Sequence, residues 1–161
     1  MTKLTRILSG TVKEDWVDYN GHMADYAFAI VFSDTLTAFM DIIGIDERYR
    51  KETANTIYTI DIRITYLREC HKEQKFHVLQ QMLDVDAKRF HTCLRMVDDL
   101  SGEDLARSEQ LLMHVHRDAA GVPRSLPFSP SVSAILVSYK NSHRDLGVPA
   151  WVGSRIGIRR K

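Results

Sequence analysis

Apolar positions along the chain change their period twice, and each change marks a different kind of element. From Ala24 onward Phe28, Phe32, Leu36, Phe39 and Ile43 recur at spacings of three and four, with Ala27, Val31 and Met40 widening the stripe. This predicts a long, largely buried helix that stops at Gly44, the residue that takes a left-handed backbone at least cost. Between Thr56 and Leu67 the spacing drops to two: Tyr58, Ile60, Ile62, Ile64 and Tyr66 alternate with Thr59, Asp61, Arg63 and Thr65, the rhythm of a half-buried strand. Shorter runs predict a first strand over Thr5 to Val12 and a meander over Lys75 to Val85, Arg89 to Val97 and Leu105 to His116. Turn residues Asp86-Ala87-Lys88 and Asp98-Asp99-Leu100-Ser101-Gly102 separate those strands. Ser129 followed by Pro130 is a helix start, and Val132 to Tyr139 predict a second, shorter helix. One strand, one buried helix and four strands describe an α+β layer, in which an antiparallel sheet covers a central helix.

Composition narrows the class. A chain of 161 residues, 44% of them apolar, makes one core, so residues 1–161 are expected to form a single domain with a C-terminal tail from about 141. Lys and Arg number 22 against 21 Asp and Glu, and they are scattered, which leaves no footprint for nucleic acid or an anionic membrane. The one dense basic stretch, Arg155-Ile156-Gly157-Ile158-Arg159-Arg160-Lys161, is read as a solvated tail. Cys70 and Cys93 form no CxxC pair, and two thiols make no disulfide framework, so a reduced compartment, the cytoplasm, is expected. No run approaches the ~20 apolar residues of a membrane span, and the N-terminus carries no signal-peptide core.

Candidate chemistry gathers in the polar, aromatic loop before the long helix. A helix N-terminus presents unpaired backbone N–H groups and a partial positive charge, so the N–H groups of Ala24 and Asp25 would stabilise an oxyanion developing on a bound carbonyl. Asp18 would attack that carbonyl or take a proton from an attacking water. Gly21 would let the backbone turn sharply, while His22 and Asn20 orient the water or the acyl group. An Asp-x-x-Gly run before a helix is also an ordinary capped turn, and local pattern leaves both readings open.

The stretch Trp16-Val17-Asp18-Tyr19-Asn20-Gly21-His22-Met23 resembles the signature of hotdog-fold thioesterases of the 4-hydroxybenzoyl-CoA type, in which an Asp stands three residues before a Gly-His pair opening the central helix. The likeness continues through Tyr58-Thr59-Ile60-Asp61, Ile64-Thr65-Tyr66-Leu67-Arg68-Glu69, Asp86-Ala87-Lys88-Arg89-Phe90-His91 and Glu109-Gln110-Leu111-Leu112, covering the chain to about Arg117. Among such enzymes it is most similar to the betainyl-CoA thioesterases of carnitine breakdown. The resemblance implies a hotdog fold, an acyl-CoA substrate whose coenzyme A is the only cofactor-like group, a homodimer or homotetramer, and no metal. Ala24 departs from the pattern, since relatives carry Asn there.

Trp16, Tyr19, Tyr58 and Tyr66 supply aromatic faces of the kind that hold a quaternary ammonium, with Asp61 or Asp34 as counter-charge; core packing is the competing fate. Asp61, Glu69 and Asp34 are further carboxylates expected to face the cleft. Lys88 and Arg89 at a hairpin would meet the phosphates of coenzyme A, or form a solvated turn. The sets Cys70, His71, His77 and His114, His116 lack zinc-site spacing. Two rival functions have less support. A hotdog enoyl-CoA hydratase uses a longer Asp-to-His interval than Asp18 to His22. A non-catalytic acyl-CoA sensor would need a DNA-binding module, for which about fifteen residues before the loop are too few.

Overall fold

The structure, a computed structural model, describes residues 3–158. Its elements are β1 (Thr5–Thr11), α1 (Asp25–Ile42), α2 (Glu47–Thr53), β2 (Asn55–Tyr66), β3 (Lys75–Val85), β4 (Arg89–Asp98), β5 (Asp104–Arg117), β6 (Pro123–Ser125) and α3 (Pro130–His143). The strands form one antiparallel sheet in the order β1-β3-β4-β5-β2, with β6 paired to the end of β5. The sheet wraps α1, which is the hotdog arrangement.

Helix α1 sits where its stripe demands: Ala27, Phe28, Val31, Phe32, Thr35, Phe39 and Met40 are buried beneath the sheet. It ends in a Schellman motif, with Ile45 N–H donated to Met40 O and Gly44 N–H to Asp41 O, and Gly44 takes the positive φ of 85° that the turn requires. Two apolar clusters flank the middle of the helix. One, around Trp16, Phe28, Phe32, Phe76 and Met96, lies at the end where α1 begins; the other joins Phe39, Ile43, Phe90 and Leu112 to Val132 and Leu136 of α3. Buried Thr35, Gln80, Thr92, Ser108 and Gln110 belong to neither cluster.

Three features differ from the pattern. Helix α2 has no apolar stripe to announce it; it is capped by Asp46, whose carboxylate accepts the Tyr49 N–H, and carries the surface pair Glu47–Lys51. Helix α3 is longer than expected and runs from Pro130 to His143. The alternation of β2 is broken by a bulge between Thr59 and Asp61, where its pairing with β5 slips by one. A one-residue slip inverts the faces, so Tyr58, opposite Met113, lies on the outer face, whereas Ile62, opposite buried Gln110, and Ile64 face inward.

Beyond α3 the chain returns over the outer face of the sheet as a strap. Gly147 O accepts from Gln81 Nε2 at 2.6 Å, Gly153 N–H donates to Glu109 Oε2 at 2.8 Å, Arg63 bonds to Ser154, and Arg107 stacks on Trp151. The last three residues of the basic tail, 159–161, lie outside the described residues. Among the described residues no single helix is long and apolar enough to cross a membrane.

Candidate active site

The loop before α1 folds back on itself because Gly21 can adopt a φ of 78°. Asp18 N–H donates to His22 O at 2.9 Å, Gly21 N–H donates to Asp18 O at 3.0 Å, and Val17 forms a short bridge with Met23. The Asp18 carboxylate accepts the Asn20 N–H through Oδ1 at 2.8 Å, an Asx turn that orients it. No side-chain partner is recorded for Asp18 Oδ2 among the described residues. Asn20 is exposed, and Tyr19 is 96% exposed.

At the helix start the two expected N–H donors differ. Ala24 N–H is already donated to Trp16 O at 2.8 Å and is not available to a substrate. Asp25, the first helical residue, donates its N–H to no acceptor among the described residues, and there the macrodipole is strongest. Of the two donors expected to form an oxyanion site, Ala24 is thus removed by its bond to Trp16. Ala24 makes no side-chain cap, while the next N–H, that of Tyr26, is taken by Asp25 Oδ1 at 2.8 Å.

A cavity of about 320 Å3 opens beside this terminus, lined by His22, Met23, Asp25, Phe28, Tyr66, Leu67, Arg68 and Glu69. Tyr66 reaches over the helix start: its ring meets Phe28 edge to face at 5.3 Å, and its hydroxyl donates to Asp25 O at 3.5 Å. Burial, with the Asp25 carboxylate adding to it, pushes the Tyr66 phenol above its usual range. His22 Nε2 lies 3.4 Å from Glu69 Oε2, and its ring meets His71 edge to face at 5.1 Å. Of the three carboxylates expected to face the cleft, Glu69 lines this cavity; Leu67 and Arg68 escaped the sequence reading as wall residues because the segment after β2 has no period.

The other expected residues are dispersed. Trp16 is 7% exposed inside the first apolar cluster, with Lys13 over its ring, so it is a core residue rather than a wall of an aromatic cage. Tyr58 lies on the outer face at the far end of β2, eight residues from Tyr66 and so roughly 26 Å away, with Arg117 donating to its hydroxyl at 2.6 Å and stacked on its ring. Asp61 faces a separate outer cavity of about 430 Å3 with Arg63, His91 and Glu109, away from the loop. Asp34 is exposed on α1. Lys88 and Arg89 stand at the Tyr58 end of the sheet, where Lys88 Nζ bonds Ser125 Oγ and Arg89 forks onto Asp86.

The histidine sets also separate. Cys70 is fully buried and its thiol is pushed up to about 12, first by burial and then by Asp98. His77 pairs with Asp99, His114 packs on Phe128, and His116 meets Asn55 Oδ1. Among the described residues the one convergent set of metal-type ligands is His22, Glu69 and His71.

Residues 12–136 match the thioesterase-like superfamily. The chain is 35% identical over 158 residues to the betainyl-CoA thioesterase of Pseudomonas aeruginosa, covering 98% of both chains. It is 34% identical to the L-carnitine dehydrogenase/betainyl-CoA thioesterase of Rhizobium meliloti, of which it spans only 30%. Among solved structures, a Staphylococcus aureus protein in complex with CoA superposes with a TM-score of 0.88 at 27% identity, covering 97% of both chains. A putative thioesterase of Pseudomonas putida follows at 0.81 and 30%, over 98% of this chain and 99% of that one. The bound CoA is a feature of the Staphylococcus protein. The loop, the wrapped helix and these likenesses converge: the chain belongs to the thioesterase-like superfamily and is a hotdog-fold thioester hydrolase.

Proposed function

We propose that the chain hydrolyses a small acyl-CoA, betainyl-CoA first among them, with Asp18 as the reacting carboxylate. The observation that carries this reading is the loop that holds Asp18 by an Asx turn four residues before His22 and runs directly into α1, whose first N–H belongs to Asp25. In hydrolysis Asp18 accepts a proton from water as the water oxygen bonds to the carbonyl carbon, or attacks that carbon itself to give a mixed anhydride that water then opens. In either case the oxyanion is met by the Asp25 N–H, the C–S bond breaks, and coenzyme A leaves as its thiol after taking a proton. His22 and Asn20 orient the acyl group and water. No cofactor enters this scheme, because coenzyme A is part of the substrate.

Support for the betainyl group comes from the cavity rather than from the residues first singled out. Tyr66 and Phe28 offer aromatic faces, and Asp25 and Glu69 offer carboxylates, in one space of about 320 Å3. A trimethylammonium cannot shed its charge, so faces and counter-charge are what it requires.

A homodimer completes the site. Strand β2 is one of the two edges of the sheet and carries exposed Ile60, Ile62 and Tyr66, an arrangement that invites pairing. Two β2 edges paired antiparallel about a two-fold axis set the Tyr66 end of one protomer against the Tyr58 end of the other. Lys88 and Arg89 of the partner subunit then lie on the side of the Asp18 loop, where the phosphates of coenzyme A need cations. Two buried, unpaired thiols fit the reducing cytoplasm. A thiol-release assay across betainyl-CoA, 4-hydroxybenzoyl-CoA and medium-chain acyl-CoAs tests the assignment. Preferential turnover of betainyl-CoA is expected, and no turnover of any of them overturns it.

A further inference from the structure

We infer that His22, Glu69 and His71 form a binding site for a divalent transition-metal ion, and that an ion held there inhibits the hydrolysis proposed above. The effect on hydrolysis rests on that reading of the loop; the binding site itself does not.

Backbone geometry brings the three together. Met23 N–H donates to Cys70 O at 2.8 Å, which clamps the loop residue after His22 against the residue between Glu69 and His71. In an extended segment, positions two apart share a side, so Glu69 and His71 both face the loop while Cys70 points into the core, fully buried. The His71 backbone is pinned in turn: its N–H donates to Gln74 Oε1 at 3.0 Å and its carbonyl accepts the Gln74 N–H at 3.1 Å.

The spacing suits an ion. One ligand atom from each residue lies within 4.8 Å of the other two, and His22 Nε2 stands 3.4 Å from Glu69 Oε2. Two ligands at about 2.0 to 2.1 Å from a tetrahedral zinc are about 3.3 Å apart, so this pair is already at coordinating distance, and a small rotation of exposed His71 closes the third. Two imidazoles and one carboxylate favour zinc, cobalt or nickel over calcium or magnesium. Three protein ligands leave a fourth position open.

The consequence follows from shared atoms. An ion on His22 Nε2 and Glu69 withdraws a loop residue and a cavity wall from the acyl group, so metal and substrate compete. His71 lines no part of the cavity, which separates the two effects.

Cobalt(II) titration of the intact protein, followed by its visible ligand-field bands and by competition with zinc, reads binding without any substrate. One ion per chain is expected, with the bands lost in His71→Ala and in Glu69→Gln. Zinc is further expected to slow thiol release by wild type tenfold or more and to leave His71→Ala, which keeps wild-type turnover without metal, unaffected. Failure of wild type to give the bands, or an unchanged cobalt spectrum and stoichiometry in His71→Ala, overturns the site. Binding without inhibition of an active enzyme keeps the site and overturns the competition. Binding to a protein inactive on every acyl-CoA keeps the site and sinks the hydrolase reading instead.

Discussion

Met23 and Cys70 are joined backbone to backbone at 2.8 Å, and this bond fastens the loop that opens α1 to the segment that leaves β2. Two stretches almost fifty residues apart in sequence thereby form one rim around the cavity beside Asp25. The positions of His22 on one side and Glu69 on the other depend on it.

Asp18→Asn is expected to lower thiol release a hundredfold or more, about 3 kcal/mol of barrier. The fold should survive, because the amide oxygen still accepts the Asn20 N–H that Oδ1 now accepts. Circular dichroism and melting beside the rate measurement separate chemistry from folding. Near-normal turnover by a well-folded mutant would remove Asp18 from the mechanism.

Charge on the β2 edge should dissolve the proposed dimer. Ile62 is 46% exposed in the single chain, on the strand with no neighbour on its outer side. Ile62→Glu places a carboxylate on the edge proposed to pair two copies, so sedimentation should show monomer at micromolar concentration, with activity lost in parallel. A variant that stays dimeric and active would place the interface elsewhere.

The acyl group can be probed by deleting its charge while keeping its shape. Betainyl-CoA is expected to be preferred over 3,3-dimethylbutyryl-CoA by roughly ten- to a hundredfold in kcat/KM. The preference should shrink in Tyr66→Leu, whose ring lies over the helix start. Trp16→Leu should instead cost about 2 kcal/mol of stability, because that side chain fills the core. Equal turnover of the two thioesters would leave no cation site.

Stability should fall on the acid side through His143. Its Nδ1 accepts the Met82 N–H at 3.0 Å and its Nε2 faces Thr5 Oγ1 at 3.1 Å, a pairing that suits a neutral ring. Burial lowers its pKa from the usual 6.5. The unfolded chain then binds the extra proton first, so the contribution is complete above about pH 6.5 and is lost as pH drops from there toward the lower folded value. Chemical denaturation of wild type and His143→Asn between pH 7.5 and about 5 should show the slope in the first and a flatter profile in the second. Equal slopes would assign the acid sensitivity to other groups.

The fold was legible because its elements carry their own periods. The α1 stripe and the ends of β3 and β4 needed no tertiary information, and Gly21 with Asp18 announced a turn. What sequence hid depends on contacts. The bulge at Ile60 reversed the side on which Tyr58 lies, since an uninterrupted period of two carries no sign of the slip. Trp16 looked available because aromatic identity says nothing about burial. Glu69 and His71 became neighbours of His22 through one long-range backbone bond, and α2 is held by its cap and surface pairs rather than by an apolar face.

The strap across the sheet turns Cys93 into a clock. Its two cross-strand neighbours, Gln81 and Glu109, are the very residues that bond Gly147 and Gly153, so the strap passes directly over the thiol. Burial beneath it, together with Glu109, pushes that thiol up to about 12. A disulfide reagent can therefore reach Cys93 only in moments when the strap lifts, and its labelling rate under native conditions counts those liftings. Cutting the Gln81 and Glu109 anchors one at a time would show which end peels first.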